Sequence, residues 1–238
     1  MTDALPALAV TFDFGQTLCE LDTAMLSRRL AERGVAVAAA RIEAAVPEAW
    51  RAYDAAIHAG AGGHPWKVLM ARLLALAGVP DPDAGPAVDW LWTEQPARNL
   101  WRRPIPGMIE VARSLRRAGV PAGVVSNSEG HLAELVAELG WQEELPIVAD
   151  SGQLGMEKPD SPIFHWTAER LGVAPGRVVH VGDSWAADVE GALRAGMRAV
   201  WFRARAERAL PPEVRRADDA AGVLAALAGW GIDLRAQG

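Results

Sequence analysis

RVVHVGDSWAADVEGALRAGMRAVWF, residues 177–202, decides the fold. Arg177 to Val181 is a short apolar run ending at a glycine and an acid, which predicts a buried strand. Trp185 to Ala195 predicts a helix, and Arg198 to Phe202 a second strand. Strand, helix and strand in this order make the unit of a parallel sheet whose crossovers cover its faces.

The same rhythm extends towards the N-terminus. A helix is predicted around Ile109, Val111, Ala112 and Leu115, ending at Gly119, and a strand over Val120 to Val125. A helix follows over Glu129 to Leu139, a weak strand over Pro146 to Ala149 and a helix over Ser161 to Leu171. Ala7 to Phe12 (ALAVTF) reads as the first strand. After it the pattern breaks into helical stretches. Met25, Leu26 and Leu30 share a face that stops at Gly34. Ile42, Val46, Ala49, Tyr53 and Ile57 form a second face, with Pro47 expected to kink or split it. Ala59 to Gly63 reads as a loop, and Trp66, Leu69, Met70, Leu73 and Leu74 as a third face closed by Gly78. Pro80 to Pro86 reads as another loop, followed by a short helix before Pro96. The expected architecture is α/β: a doubly wound parallel sheet over residues 1–18 and 104–238, with an all-helical insertion over 19–103.

In an open parallel sheet, ligands bind beyond the carboxyl ends of the strands. After the first strand come Asp13, Gly15 and Thr17, and after the second major strand Ser126 and Asn127. Gly182 and Asp183 follow the strand at 177–181, with Asp188 in the next helix. Lys158 lies in the intervening GMEKP loop. The chain has 22 arginines and only two lysines, Lys67 and Lys158, so a lysine here invites the question of why arginine was not used.

Composition narrows the classes. The net charge is −6 with no long basic run, which argues against a nucleic-acid partner. No stretch of about 18 apolar residues occurs, which argues against a membrane span. The N-terminus has no basic region ahead of an apolar run, so no secretory signal is expected. A single cysteine, Cys19, excludes an internal disulfide and a cysteine zinc cluster and suits the cytoplasm.

The residues at the strand ends resemble the four motifs of the haloacid dehalogenase-like hydrolase superfamily, which has a Rossmann-like core. Phe12 to Leu18 (FDFGQTL) is similar to its Asp-x-Asp-x-Thr motif, VVSN carries Ser126, Lys158-Pro159 forms the third motif, and VGDSWAAD carries Asp183 and Asp188. All four stand in the family's order, and the helical insertion matches a cap domain placed after the first motif. The resemblance implies a Mg²⁺-dependent phosphatase acting on a small phosphorylated metabolite through an aspartyl-phosphate. An aspartate, with pKa about 3.9, is ionised at neutral pH and needs no base to act as a nucleophile. Asp13 would attack, with Lys158 beside it as catalytic cation. Asp13, the Gly15 carbonyl, Asp183 and Asp188 would hold the metal, Asp188 directly or through water. Thr17, Ser126, Asn127 and Lys158 would bind the phosphate.

One position departs from the pattern. Gly15 stands where the family's phosphatases carry a second aspartate as acid and base. General acid–base catalysis is typically worth about 10²–10⁴-fold. Candidate replacements are Cys19, Glu20, Asp22, His58 and His64. Other branches of the superfamily also lack that aspartate. They imply two alternatives, a metal-free 2-haloacid dehalogenase or a phosphonatase using Lys67 as a Schiff base, and Gly15 separately permits a catalytically weak protein that retains phosphate binding. Of the ten tryptophans, Trp50, Trp66, Trp90, Trp92 and Trp101 fall in or beside the insertion and read chiefly as packing.

Overall fold

The computed structural model describes residues 8–59 and 65–234, and the chain divides into two compact units, residues 1–20 with 104–238 and residues 21–103. The first unit holds β1 (Ala9–Phe12). The chain then runs through β2 (Cys19–Leu21), α1 (Thr23–Glu32), α2 (Ala39–His58), α3 (Pro65–Leu76), α4 (Asp81–Glu94) and β3 (Trp101–Pro104). Back in the first unit come α5 (Met108–Arg117), β4 (Ala122–Ser126), α6 (Leu132–Glu138), β5 (Ile147–Asp150), α7 (Ser151–Leu154) and α8 (Ser161–Leu171). β6 (Val178–Gly182), α9 (Glu190–Arg194), β7 (Arg198–Phe202), β8 (Val214–Ala217) and α10 (Ala220–Ala228) complete it.

Six strands form one sheet in the order β5-β4-β1-β6-β7-β8, and every neighbouring pair is parallel. This is the doubly wound α/β sheet that the alternation predicts. β1 is central, with Val10 opposite Ala122 of β4 and Phe12 opposite Val181 of β6. The chain winds outward from β1 through β4 to β5, then returns to β6 on the other flank. The switch point therefore opens at the carboxyl end of β1. All residues of β1, β4, β6 and β7 are buried, as continuous apolar runs covered on both faces require. α8 and α9 pack together over one cluster, where Phe164 lies against Gly191; a Cβ on that glycine would meet the ring at 2.6 Å.

The helical unit contains α1 to α4, with α2 packed on α1 and α3, and α3 on α4. Three of its tryptophans pack together, Trp66 lying 5.2 Å from Trp92 and 6.3 Å from Trp101, while Trp50 stands edge-on against Tyr53. Proline neither splits α2 nor leaves Pro80 to Pro86 as a loop. α2 runs unbroken through Pro47, which lies on the exposed side, where a carbonyl left without its donor can reach water. Pro80 to Pro86 is mostly helix: Pro80 is the N-cap of α4 and Pro82 sits in its first turn, where a missing N–H costs nothing. Ala84, Ala87, Val88 and Leu91 bury the inner face of that helix. Most of the loop expected over Ala59 to Gly63 lies outside the described residues. No helix among the described residues is long and apolar enough to cross a membrane.

Candidate active site

Asp13 is the first residue after β1, and its N–H donates to Val181 of β6, 2.8 Å away. The loop turns back at once. Leu18 and Cys19 donate to the Phe14 carbonyl, and Gln16 donates to Cys19. The left-handed backbone position falls on Gln16 (φ +59°) rather than on Gly15. Thr17 is fully buried in this loop, and its hydroxyl has no hydrogen-bond partner among the described residues. A buried hydroxyl left in that state marks a place for a ligand atom.

Lys158 arrives from the loop before α8. Its side chain is 3 % exposed, and its Nζ lies 2.6 Å from Asp13 Oδ1 and 2.6 Å from Asp188 Oδ1. Asn127, just past β4, fixes the main chain of this lysine. Its amide nitrogen donates to the Lys158 carbonyl at 2.9 Å and its amide oxygen accepts from the Lys158 N–H at 2.7 Å. Both ends of the Asn127 side chain are thus engaged with the main chain of Lys158, which they position. Ser126 is buried at the end of β4. Beside it, Asp150 accepts the N–H groups of Gly130, Leu132 and Gly152 and so ties the loop after β4 to the end of β5.

Asp188 is held on both oxygens. Oδ1 receives Lys158 and His180 Nε2 (3.1 Å), and Oδ2 receives the Ser184 N–H (2.9 Å). His180 is fully buried in β6, and its Nδ1 lies 2.9 Å from the Thr11 hydroxyl. Because the carboxylate only accepts, Nε2 carries the proton and Nδ1 accepts from Thr11. Burial lowers the His180 pKa, so the ring is neutral. Gly182 makes this packing possible: a Cβ there would fall 2.3 Å from the Asp188 carboxyl carbon. Ser184 Oγ caps the turn by accepting from Ala187, which leaves the Asp183 carboxylate out of that role. The Trp201 indole donates to the Asp183 carbonyl at 3.0 Å, and Arg205 pairs with the Asp183 carboxylate.

Carboxylate oxygens of Asp13, Asp183 and Asp188 all lie within 4.8 Å of one another. Crowding and burial set their acidities. Burial, together with Asp188 and Asp183, pushes Asp13 up to about 7 against the pull of Lys158. Burial also raises Asp183, although Arg205 opposes it. Burial works against ionisation of Asp188 too, but Lys158 and His180 outweigh it and hold this carboxyl far below its ordinary value. Burial disfavours the Lys158 ammonium, yet Asp13 and Asp188 raise its pKa above that of a free lysine. With all five groups charged, three carboxylates face two cations and one negative charge is left over. A buried anionic cluster of oxygen donors fits a hard divalent cation.

Lys67 belongs to the helical unit, 41 % exposed and paired at 2.7 Å with Asp89, which is 72 % exposed. Glu20 is ion-paired with Arg203 at 2.6 Å, and Asp22 caps α1 by accepting from Met25. Cys19 is fully buried. The side chain of His58, and all of His64, lie outside the described residues. His180, Asp150 and Arg205 were not anticipated. The one available signal was a histidine inside an otherwise apolar strand in VVHV; nothing in the local sequence marks Arg205.

Sheet and acids together define an α/β protein whose charged cluster sits at the switch point of a doubly wound core. The sequence model of the haloacid dehalogenase-like hydrolase family matches residues 7–196, and the chain belongs to that family and is a hydrolase. It is 27 % identical to haloacid dehalogenase-like hydrolase domain-containing protein 3 of Bos taurus, over 90 % of this chain and 88 % of that one. It is 30 % identical to a glyceraldehyde 3-phosphate phosphatase of Methanopyrus kandleri, over 89 % of each chain. The HAD-hydrolase YfnB from Bacillus subtilis, solved bound to magnesium, shares the fold at a TM-score of 0.72 with 17 % identity, over 93 % of this chain and 99 % of that one.

Proposed function

We propose that the protein is a Mg²⁺-dependent phosphatase of small phosphorylated metabolites that works through an aspartyl-phosphate on Asp13. The observation that carries this reading is the convergence of Asp13, Asp183 and Asp188 around one point, with Lys158 bound to two of them. Asp13, Asp183 and the Gly15 carbonyl would hold the ion. Asp188, with each oxygen already engaged, would reach it through water. When bound, the ion neutralises negative charge on the acids and on the transferring phosphoryl group.

The remaining work falls to the chain. A carboxylate oxygen of Asp13 attacks phosphorus, the bond to the leaving oxygen breaks, and the leaving group departs with the electron pair. Lys158 keeps Asp13 oriented and offsets charge on the phosphoryl oxygens, while Thr17, Ser126 and main-chain N–H groups bind those oxygens. Water then attacks the aspartyl-phosphate and releases inorganic phosphate. Gly15 supplies no acid for the first step and no base for the second. Glu20 and Asp22 already serve an ion pair and a helix cap. The reading therefore favours substrates whose leaving group is stable as an anion, with slow dephosphorylation and a burst of product. We read residues 19–103 as the cap that selects the leaving group. The exposed, ion-paired state of Lys67 speaks against Schiff-base chemistry, and the three converging acids speak against a metal-free dehalogenase. A cytoplasmic location fits the single, buried cysteine.

The test is a panel of phosphorylated metabolites assayed with Mg²⁺ on the wild type and on Asp13→Asn. Activity should disappear in chelator, return with Mg²⁺ and be absent from the variant. Full turnover in excess chelator would overturn the proposal.

A further inference from the structure

Arg205 lies beyond the stretch that the family model matches, in the chain that follows β7. Its guanidinium reaches back to Asp183, and its side chain is 18 % exposed against 3 % for its partner. Trp201, on β7 itself, holds the Asp183 carbonyl. Residues 201–205 therefore grip both the main chain and the carboxylate of one acid. A main-chain N–H or a hydroxyl could also have held that carboxylate; a full positive charge beside a cluster of acids does something more.

We propose that Arg205 is a built-in counter-ion that weakens divalent-cation binding at Asp183 and strengthens binding of the phosphoryl anion. The inference rests on the metal-dependent phosphatase reading above. Its basis is charge. With Arg205 the cluster carries one net negative charge, and without it two. A divalent ion therefore leaves the cluster net positive in the first case and only neutral in the second. A phosphate dianion is drawn to the first. In a buried site, a charge this close changes affinity by an order of magnitude or more. Arg205 thus shifts binding strength from the metal to the substrate, and the two ligands respond to its removal with opposite signs. A residue that merely braced the loop would affect both ligands in the same direction.

The experiment is calorimetry at pH 8.5 on the wild type, Arg205→Gln and Arg205→Lys, with Arg116→Gln, an exposed arginine of α5 paired with Glu143, as a control. First Mg²⁺ alone is titrated, then inorganic phosphate at saturating Mg²⁺. Arg205→Gln should bind Mg²⁺ about tenfold more tightly and phosphate about tenfold more weakly. Arg205→Lys, which keeps the charge, and Arg116→Gln should stay near the wild type. Arg205→Met serves as a second neutral variant should the glutamine variant fail to fold. Weaker binding of both ligands, or no change in either, would refute the counter-ion role. Asp183→Asn separates the two readings. If the wild type binds Mg²⁺ and Asp183→Asn does not, the metal site stands whatever Arg205 does. If the wild type binds none, the metal site and the counter-ion proposal fall together.

Discussion

Lys158 in the α/β unit and Lys67 in the helical unit make ion pairs of nearly the same length, 2.6 and 2.7 Å, and the two pairs have little else in common. Lys158 is shut away from water between two carboxylates, and breaking such a buried arrangement typically costs roughly 3–5 kcal/mol. Lys67 and Asp89 both face solvent, where an ion pair is worth about 0–1 kcal/mol. Scarcity of lysine marked both residues in the sequence, but burial and the number of partners separate them. The lesson is that pair distance says little about function; what else each partner holds says more.

Neither lysine can act as the acid missing at position 15, because Lys158 is held protonated by two aspartates and Lys67 is in an exposed pair with Asp89. The largest expected effect is therefore Gly15→Asp. The backbone at Gly15 is not left-handed, so a side chain is not barred by φ. Turnover of alkyl phosphates should rise by about 10²–10⁴, far more than that of aryl or acyl phosphates, and the product burst should vanish. A wild type that already hydrolyses alkyl phosphates fast and without a burst would mean that another residue supplies the proton.

Next in size is Lys158→Met. It should lower turnover by about 10²–10³ and, by leaving Asp13 and Asp188 without their shared cation, cost roughly 3–5 kcal/mol in denaturant unfolding. A stable, active variant would erase the contrast between the lysines.

A third effect concerns protons. In the metal-free chain Asp13 titrates at about 7, above the value of an unfolded aspartate, so it carries a proton below that pH. A cation must displace that proton. Affinity for Mg²⁺ should fall as the pH drops through about 7, with proton release visible in calorimetry. A flat profile between pH 5 and 8 would mean that Asp13 is not a ligand.

The smallest effect is Lys67→Met: turnover should change less than about twofold and stability by less than about 1 kcal/mol. Borohydride with an aldehyde substrate should trap no adduct. A covalent adduct at Lys67 would revive phosphonatase chemistry.

Much of the core was legible because its strands are buried on both faces and read as apolar runs ending in turns. Ser161–Leu171 and Arg198–Phe202 form where the pattern put them. β8 and α10 were not read: VRRA carries two arginines at the edge of the sheet, so the apolar signal fades. Pro80 to Pro86 misled because proline is compatible with a first helical turn and with an exposed helix face. The residues at strand ends were findable because the topology gathers them. Partnerships across the sheet were not. Nothing local links Asn127 to the main chain of Lys158, His180 to Thr11, or Arg205 to Asp183, since each contact depends on the register of strands far apart in sequence.

The central place of β1 also sets an order of events during synthesis. Thr11 and His180 are hydrogen-bonded neighbours separated by 169 positions in the chain. A nascent chain emerging from the ribosome can pair β1 with β4, yet it must wait for β6 before the second flank of β1 is covered. Until then Asp13 has no Asp183 or Asp188 beside it, and an apolar strand edge stays open. Contacts this distant slow folding and lengthen the exposure to aggregation. The charged cluster therefore closes late, and a chain cut short before Asp188 has no acid cluster with which to hold a cation.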